Sequence, residues 1–185
     1  MKYAPITQDS YYHIYNSGNN KEDIFIEEKN YNYFLQLLKK HIIPIADILS
    51  YCLLKNHFHL LVKTKSDISD KTISKGFSNL FNAYAKAINK SYNRSGSLFK
   101  DRFSRIKIEN DNYLKSLIIY INTNAVHHGF SKSFKDYKNS SYFGLISNKP
   151  TLLKRDFVIG LFDDRQNFEE VLEEKQEIIG QLTLE

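Results

Sequence analysis

The sequence has little of what stabilises secreted proteins or anchors membrane proteins. Its single cysteine, Cys52, excludes an internal disulfide framework and a multi-cysteine zinc site. No apolar run approaches the ~18 residues needed to span a bilayer. The first ten residues also lack the apolar stretch of a signal peptide. These absences predict a cytoplasmic protein without a membrane segment.

Charge is distributed unevenly along the chain. The 185 residues carry a net charge of +5, but residues 151–185 contain nine acidic and four basic residues, a net of −5. The first 150 residues therefore carry a net charge of +10. Hydrophobic residues make up 42% of the chain, which is enough to build a buried core. We predict one domain over residues 1–150 and an acidic, helical appendage over residues 151–185.

The segment from Lys71 to Lys107 contains nine basic residues and one acidic residue. A positive field this concentrated favours a polyanion as partner, although a solvated lysine-rich face is an open alternative. Arg102 and Arg105 are the best candidates for phosphate contacts because guanidinium groups pair with phosphate oxygens; the alternative is pairing with the acidic tail. The candidate residues for binding nucleic acid are Lys86, Lys90, Arg94, Lys100, Arg102, Arg105 and Lys107.

Hydrophobic periodicity predicts seven elements in the order β-α-β-β-α-β-α. The strands are predicted at about 10–16, 45–54, 57–63 and 102–109, and the helices at about 28–41, 72–92 and 112–125. Pro44 ends the first helix, and Asp111 is a candidate N-cap for the third. The first six elements have the pattern of a ferredoxin-like α+β fold, with an antiparallel sheet and helices on one face. The seventh is an additional helix, and one acidic helix is predicted at about 154–178.

The stretch K-N-H-F-H-L-L-V-K, residues 55–63, places two histidines in an apolar strand. Because side chains alternate across a strand, His57 and His59 share one face while Phe58 and Leu60 point to the other. Two imidazoles on one face can share a divalent metal ion. The alternative is a hydrogen-bonded pair of histidines on a half-exposed sheet.

The helix after the last strand carries a second pair of polar residues. Tyr120 and Asn124 are four positions apart and therefore lie on the same helical face. The Asn124 amide oxygen suits a hard cation such as Mg²⁺ or Mn²⁺ as a third ligand. The Tyr120 phenol lies one turn away, where it could attack a group that the ion holds. An ordinary half-buried tyrosine beside a surface amide fits the same spacing.

Five motifs occur in an order that is similar to one family. They are Y-H-I-Y-N-S-G-N-N-K (12–21), Y-C-L-L-K-N-H-F-H-L-L-V (51–62), G-S-L-F-K-D-R-F-S-R (96–105), Y-I-N-T-N-A-V-H-H-G-F (120–130) and S-S-Y (140–142). Over about residues 3–145 the chain resembles the REP-associated and related single-tyrosine transposases of the IS200-like type. These belong to the HUH superfamily, named for histidine, a bulky apolar residue and histidine. The chain departs from the family pattern at Ser17, Lys55 and Ala125.

The resemblance implies a metal-dependent enzyme that cleaves and rejoins single-stranded DNA at sites flanked by hairpins. It implies that His57, His59 and Asn124 hold one Mg²⁺ or Mn²⁺ ion. Tyr120 would attack phosphorus to form a 5′-phosphotyrosine and a free 3′-hydroxyl. The resemblance assigns one nucleophilic tyrosine to each subunit, and it therefore also implies a homodimer.

Two alternative functions remain open at this point. A relative that has lost its chemistry would bind hairpins or single strands without cutting them. A metal-dependent phosphodiesterase would use water in place of Tyr120 as nucleophile. The other histidines and the cysteine are predicted to be structural: His13 in a strand, His127 and His128 at a helix C-terminus, and Cys52 in the core.

Overall fold

The computed structural model describes residues 5–182, and its centre is a four-stranded sheet. The strands are β1 (Tyr11–Ser17), β2 (Ala46–Leu54), β3 (His57–Thr64) and β4 (Ser104–Ile108). Their spatial order is β2-β3-β1-β4, and each strand runs antiparallel to its neighbours. This arrangement confirms the predicted α+β class and the ferredoxin-like sheet.

Six α-helices occur within residues 5–182: α1 (Glu28–His41), α2 (Asp70–Ser91), α3 (Asp111–His127), α4 (Tyr142–Ile146), α5 (Arg155–Gly160) and α6 (Arg165–Leu182). Short 3₁₀ helices lie at Asn19–Lys21 and Phe134–Asp136. The three helices predicted before the tail are confirmed, and Tyr120 lies on α3. No helix in this described part has the length and apolar character needed to cross a membrane.

Helices α1 and α2 cover one face of the sheet, where aromatic side chains form the core. The Phe58 ring centroid lies 5.3 Å from that of Phe34 on α1 and 5.4 Å from that of Phe81 on α2. Because strand residues alternate, His57 and His59 point to the opposite face. A shift of one residue would bury the imidazoles and expose Phe58, so core packing fixes which face carries the histidines.

Helix α3 lies on the opposite face, chiefly against β2, and buried polar side chains join the two elements. The Asn122 amide nitrogen donates to Ser50 Oγ at 3.0 Å, and the Asn122 amide oxygen accepts from Ser141 Oγ at 2.8 Å. The two serine hydroxyls are 2.9 Å apart, and Ser141 Oγ also accepts from the Tyr51 backbone N–H. We call Asn122, Ser50 and Ser141 the Asn122 cluster. Because buried polar groups need their partners, the cluster resists sliding or rotation of α3.

Two details of the helix ends correct the sequence predictions. The N-cap of α3 is Asn110 rather than Asp111, because the Asn110 side chain accepts from two backbone N–H groups of the first turn. The acidic tail forms two helices rather than one. Asp163 has a left-handed φ of 69°, and Asp164 Oδ1 then accepts from the Asn167 N–H, which caps the start of α6.

Residues 151–182 pack against the rest of the fold. The Lys154 N–H donates to the carbonyl of Ile48 on β2. Helix α6 lies along α3, with Phe168 and Leu172 fully buried in the same hydrophobic core. The tail therefore extends the core, while its predicted role as an appendage beyond residue 150 stays a prediction.

We expect Asn122→Ala to lower the free energy of unfolding by about 1–3 kcal/mol, because the buried hydroxyls of Ser50 and Ser141 would each lose a partner. Asn112→Ala makes the same substitution at an exposed position of α3. It should alter the free energy of unfolding by less than about 0.5 kcal/mol. Urea unfolding followed by circular dichroism measures both variants. Equal losses would contradict the anchoring role of the cluster.

Candidate metal centre and nucleophile

The sheet face opposite α1 and α2 carries a groove that contains three of the four residues predicted for catalysis and metal binding. His59 on β3 and Tyr120 on α3 have ring centroids 5.5 Å apart. His57 lines the same groove of about 570 Å³, which we call the histidine groove. Leu117 and Ile121 beside Tyr120 are buried, which holds this part of α3 against the sheet. The predicted proximity of the phenol and the imidazoles is therefore present within one chain.

Asn124, the remaining predicted ligand, is fully buried one helical turn after Tyr120. Neither its amide oxygen nor its amide nitrogen has a hydrogen-bond partner, and His57 Nε2 has none either. Within residues 5–182, five buried side-chain polar atoms lack a hydrogen-bond partner. Two of these atoms belong to Asn124 and one to His57. Asn124 is near enough to His57 to influence its pKa, yet no atoms of the two meet hydrogen-bond geometry. Two neighbouring acceptors without donors are what a bound cation requires.

The residue before His57 sets the orientation of its ring. His57 Nδ1 lies 2.7 Å from Asn56 Oδ1. An amide oxygen only accepts, so Nδ1 carries the proton and Nε2 keeps a lone pair. Metal-binding histidines are commonly held by such a hydrogen bond on the second ring nitrogen. Asn56 therefore prepares His57 Nε2 to act as a ligand.

His13 on β1 holds His59 in a similar way. The His13 side chain is buried, and its Nε2 lies 2.9 Å from His59 Nδ1, with the ring centroids 5.1 Å apart. When His59 donates from Nδ1 and His13 accepts, His59 Nε2 keeps the lone pair that a metal ion needs. The sequence predicts a strand position for His13, but the contact with His59 depends on the register between β1 and β3.

Burial keeps the histidines neutral. It lowers the pKa of His13 and of His57 to about 4, and it lowers the pKa of His59 to about 2 with a further contribution from the neighbouring histidines. His128 caps α3 with its ring centroid 4.7 Å from that of His57, and burial also lowers its pKa. Neutral imidazoles are the form that binds metal ions.

The donor atoms fit a hard divalent cation. The described residues contain no group of three or more His, Cys, Asp or Glu side chains able to hold a metal ion, so a site here needs the Asn124 amide oxygen. Two imidazole nitrogens and one amide oxygen leave coordination positions for phosphate oxygens or water. Mg²⁺ and Mn²⁺ accept such mixed, partly non-protein ligand sets, whereas structural zinc sites are closed by four protein ligands.

The basic residues that were predicted to bind nucleic acid do not share one surface. Lys100 and Arg102 line the histidine groove. They also line a neighbouring groove of about 720 Å³ towards α2, together with Lys86 and Arg105. The loop before β4 therefore carries positive charge along one continuous depression.

The other three basic residues lie elsewhere. Arg94 is paired with Glu22. Lys90 is exposed on α2 and lines neither groove. Lys107 lies opposite Tyr12 in the register of β1 and β4, so its side chain projects from the sheet face opposite the histidines.

The remaining structural predictions agree with the positions observed. His127 is the last residue of α3 and His128 its C-cap. Cys52 is fully buried, and burial raises the pKa of its thiol. Sequence reasoning missed the roles of Asn56 and Asn122. Asn56 directly precedes the first histidine, which was an available signal, whereas the partners of Asn122 lie far away in the sequence.

Comparisons with known proteins identify a family and a shared fold. The family model described as "Transposase IS200 like" matches residues 6–124. Among curated proteins, no sequence matches the chain. The solved structure of a REP-associated tyrosine transposase bound to a REP hairpin superposes with a TM-score of 0.64 at 16% identity, covering 81% of this chain and 87% of the other.

A second solved structure, of a candidate transposase from Deinococcus radiodurans, is more distant. Its TM-score is 0.42 at 10% identity, and it covers 63% of this chain and 92% of the other. The likeness to the hairpin-bound structure is one of fold, and the match of the family model extends through Asn124.

We expect Mn²⁺ affinity to fall beyond detection in His57→Ala, which removes a nitrogen ligand. His13→Ala should weaken binding by about 10–100-fold, because His59 loses the hydrogen bond that orients it. Titration calorimetry without DNA measures both. The matched control is His41→Ala at the end of α1, outside the groove. Unchanged affinity in His57→Ala would contradict the assigned site.

The free energy of unfolding should fall as the pH is lowered from 7 to 5. An unfolded histidine has a pKa near 6.5, so the unfolded chain binds protons that buried His13 and His59 cannot accept when folded. Each contributes a slope of at most about 1.4 kcal/mol per pH unit. In urea unfolding, the free energy of unfolding of His13→Asn should fall less steeply with decreasing pH than that of the wild type. The control Asn112→Ala removes no titratable group and should keep the wild-type slope, and an unchanged slope in His13→Asn would contradict this account.

Proposed function

The chain belongs to the family of IS200-like transposases, and from this premise we propose that it cleaves and rejoins single-stranded DNA through a 5′-phosphotyrosine at Tyr120. The observation that carries the proposal is the contact between Tyr120 and His59 in a groove that also contains His57, with the buried and unpartnered Asn124 amide one helical turn after Tyr120. A nucleophile beside three candidate ligands is the arrangement that phosphoryl transfer to tyrosine needs.

His57, His59 and Asn124 would hold the divalent ion, Mg²⁺ or Mn²⁺. When bound, this ion supplies positive charge to the non-bridging oxygens of the scissile phosphate and stabilises the charge that develops in the transition state. Asn56 and His13 keep the two imidazoles oriented with their lone pairs available.

Tyr120 performs the covalent step. Its phenol oxygen attacks phosphorus, so the bond from Tyr120 Oη to phosphorus forms as the bond from phosphorus to the 3′-oxygen breaks. The phenol proton passes to solvent, and the departing 3′-oxygen takes up a proton to become a hydroxyl. The phosphotyrosine retains the energy of the original ester, so a different 3′-hydroxyl can reverse the step and rejoin the strands without ATP.

Lys100 and Arg102 are the basic residues best placed to hold the DNA backbone at the site. Both line the histidine groove, and both are exposed, so their charges can meet phosphates on either side of the scissile bond. Lys86 and Arg105 would extend this track into the neighbouring groove towards α2. We assign Lys90, Arg94 and Lys107 a lesser part, because none lines either groove.

The substrate we propose is single-stranded DNA flanked by a hairpin. A phosphate in a stacked duplex cannot easily enter a groove between a helix and a sheet face, whereas an extended strand can. The REP-associated transposase that shares this fold was solved with a REP hairpin, which supports the same substrate class here. Because each chain offers one Tyr120, we propose that a homodimer handles the two ends of a mobile segment.

Tyr120→Phe should abolish both strand cleavage and the covalent DNA–protein band, while DNA affinity stays within about twofold, because only one hydroxyl is lost. The assay uses hairpin-flanked single-stranded DNA with Mg²⁺ or Mn²⁺, followed by denaturing electrophoresis. Tyr11→Phe removes a hydroxyl on β1 outside the histidine groove and should retain full activity.

The same gel separates the alternatives. Cleavage that survives in Tyr120→Phe without a covalent band would identify water as the nucleophile. DNA binding by the wild type with neither cleavage nor a covalent band would identify a non-catalytic binding protein.

A further inference from the structure

A second depression, of about 450 Å³, opens on the other side of Tyr120 between α3 and the β1–β4 half of the sheet. We propose that it holds the nucleobase that follows the scissile phosphate on its 3′ side, and we call it the base slot. Its lining residues include His13, Tyr15, His59, Ile106, Tyr113 and Tyr120. This inference rests on the proposed function and adds a binding position to it.

The lining chemistry suits a base rather than a phosphate. None of the lining residues is Lys, Arg, Asp or Glu. Ile106 lies opposite His13 in the β1–β4 register, so it faces the slot, and it is 41% exposed. Tyr113, one turn before Leu117 on α3, is 45% exposed at the slot's rim. Exposed apolar and aromatic side chains that line one depression are typical of stacking sites for bases.

The slot adjoins the histidine groove. Tyr15, His59 and Tyr120 line both depressions, so the nucleophile and a candidate ligand form the wall between them. The histidine groove adds Lys100 and Arg102, whereas the slot adds aromatic and apolar groups. One nucleotide likewise consists of an anionic phosphate joined through a sugar to a flat base with aromatic faces. The two compartments therefore match the two parts of a nucleotide at the cleavage point.

The direction of attack indicates which base enters. In an in-line displacement the nucleophile and the leaving oxygen lie on opposite sides of phosphorus. The nucleoside that departs with the 3′-oxygen is therefore directed away from Tyr120. The nucleoside that stays bonded through its 5′-phosphate remains attached to Tyr120, and it can turn into the slot beside that residue.

The slot is tested by DNA affinity in the Tyr120→Phe background, where attack by the phenol cannot occur. Tyr113→Ala should weaken binding of the hairpin-flanked strand by about tenfold, because base–aromatic stacking is lost. Tyr113→Phe keeps the ring and should bind like the parent. The matched control is Phe143→Ala on α4, an aromatic residue of similar exposure, 44%, that lies outside both depressions.

An abasic nucleotide identifies the base involved. The wild-type adduct first maps the cut, and an abasic site placed directly 3′ of it should weaken binding about as much as Tyr113→Ala. Tyr113→Ala and the abasic site together should lower the DNA affinity no more than either change alone, since both remove the same contact. An abasic site five nucleotides further along should leave the effect of Tyr113→Ala unchanged.

The outcomes separate the slot from the proposed function. Additive losses, or equal affinities of Tyr113→Ala and Tyr113→Phe, would overturn the base slot even if the wild type forms its adduct. Absence of any wild-type adduct would contradict the proposed chemistry. In that case the base slot is tested only by comparing the DNA affinities of Tyr113→Ala and Tyr113→Phe, and equal affinities would overturn it.

Discussion

Three buried polar side chains on α3, on β2 and before α4 hold the tyrosine helix on the sheet. Asn122 reaches Ser50 and Ser141 from the buried side of α3. Tyr120 and Asn124 lie two positions to either side of Asn122. Tyr120 lines the histidine groove, and Asn124 is buried near His57. Because successive helical residues are about 100° apart, a rotation of α3 by one residue would remove both from the histidines. The geometry of the candidate centre therefore follows from hydrogen bonds that take no part in its chemistry.

The site combines neutral ligands with positive charge at its margin. Burial lowers the pKa of His57 and His59, so β3 offers lone pairs rather than charge. Positive charge comes from Lys100 and Arg102 on the loop before β4. In the function proposed, a phosphate would be drawn in by the loop and would meet a cation held by uncharged donors. Such a cation keeps its full charge for the phosphate, since no carboxylate ligand neutralises it.

Local patterns in the sequence predicted the fold and much of the candidate site. Strand alternation gave the shared face of His57 and His59, and helical spacing gave the shared side of Tyr120 and Asn124. Both follow from backbone geometry within a single element. The β-α-β-β-α-β order was sufficient to predict the ferredoxin-like sheet, because few arrangements of those elements bury their apolar faces.

Features that depend on contacts between distant elements were not predictable in this way. The hydrogen bond between His13 and His59 depends on the register of β1 against β3, and the ion pair between Arg94 and Glu22 joins residues 72 positions apart. The break in the tail depends on a single left-handed residue, Asp163, within a segment whose composition is helical throughout. Such features are decided by tertiary packing and cannot be read from periodicity.

The packing of α6 has a consequence for how DNA strands would be exchanged. Helix α3 lies between its own β2 and its own α6, and the Tyr142 hydroxyl and Lys135 bind the α6 carboxylates of Glu169 and Glu173. Helix α3, which carries Tyr120, is therefore packed on both sides against its own chain. It cannot move into the site of a second copy unless α6 unpacks from it. A DNA end bonded to Tyr120 would stay where it was cut, and the incoming strand would have to travel to a stationary phenol.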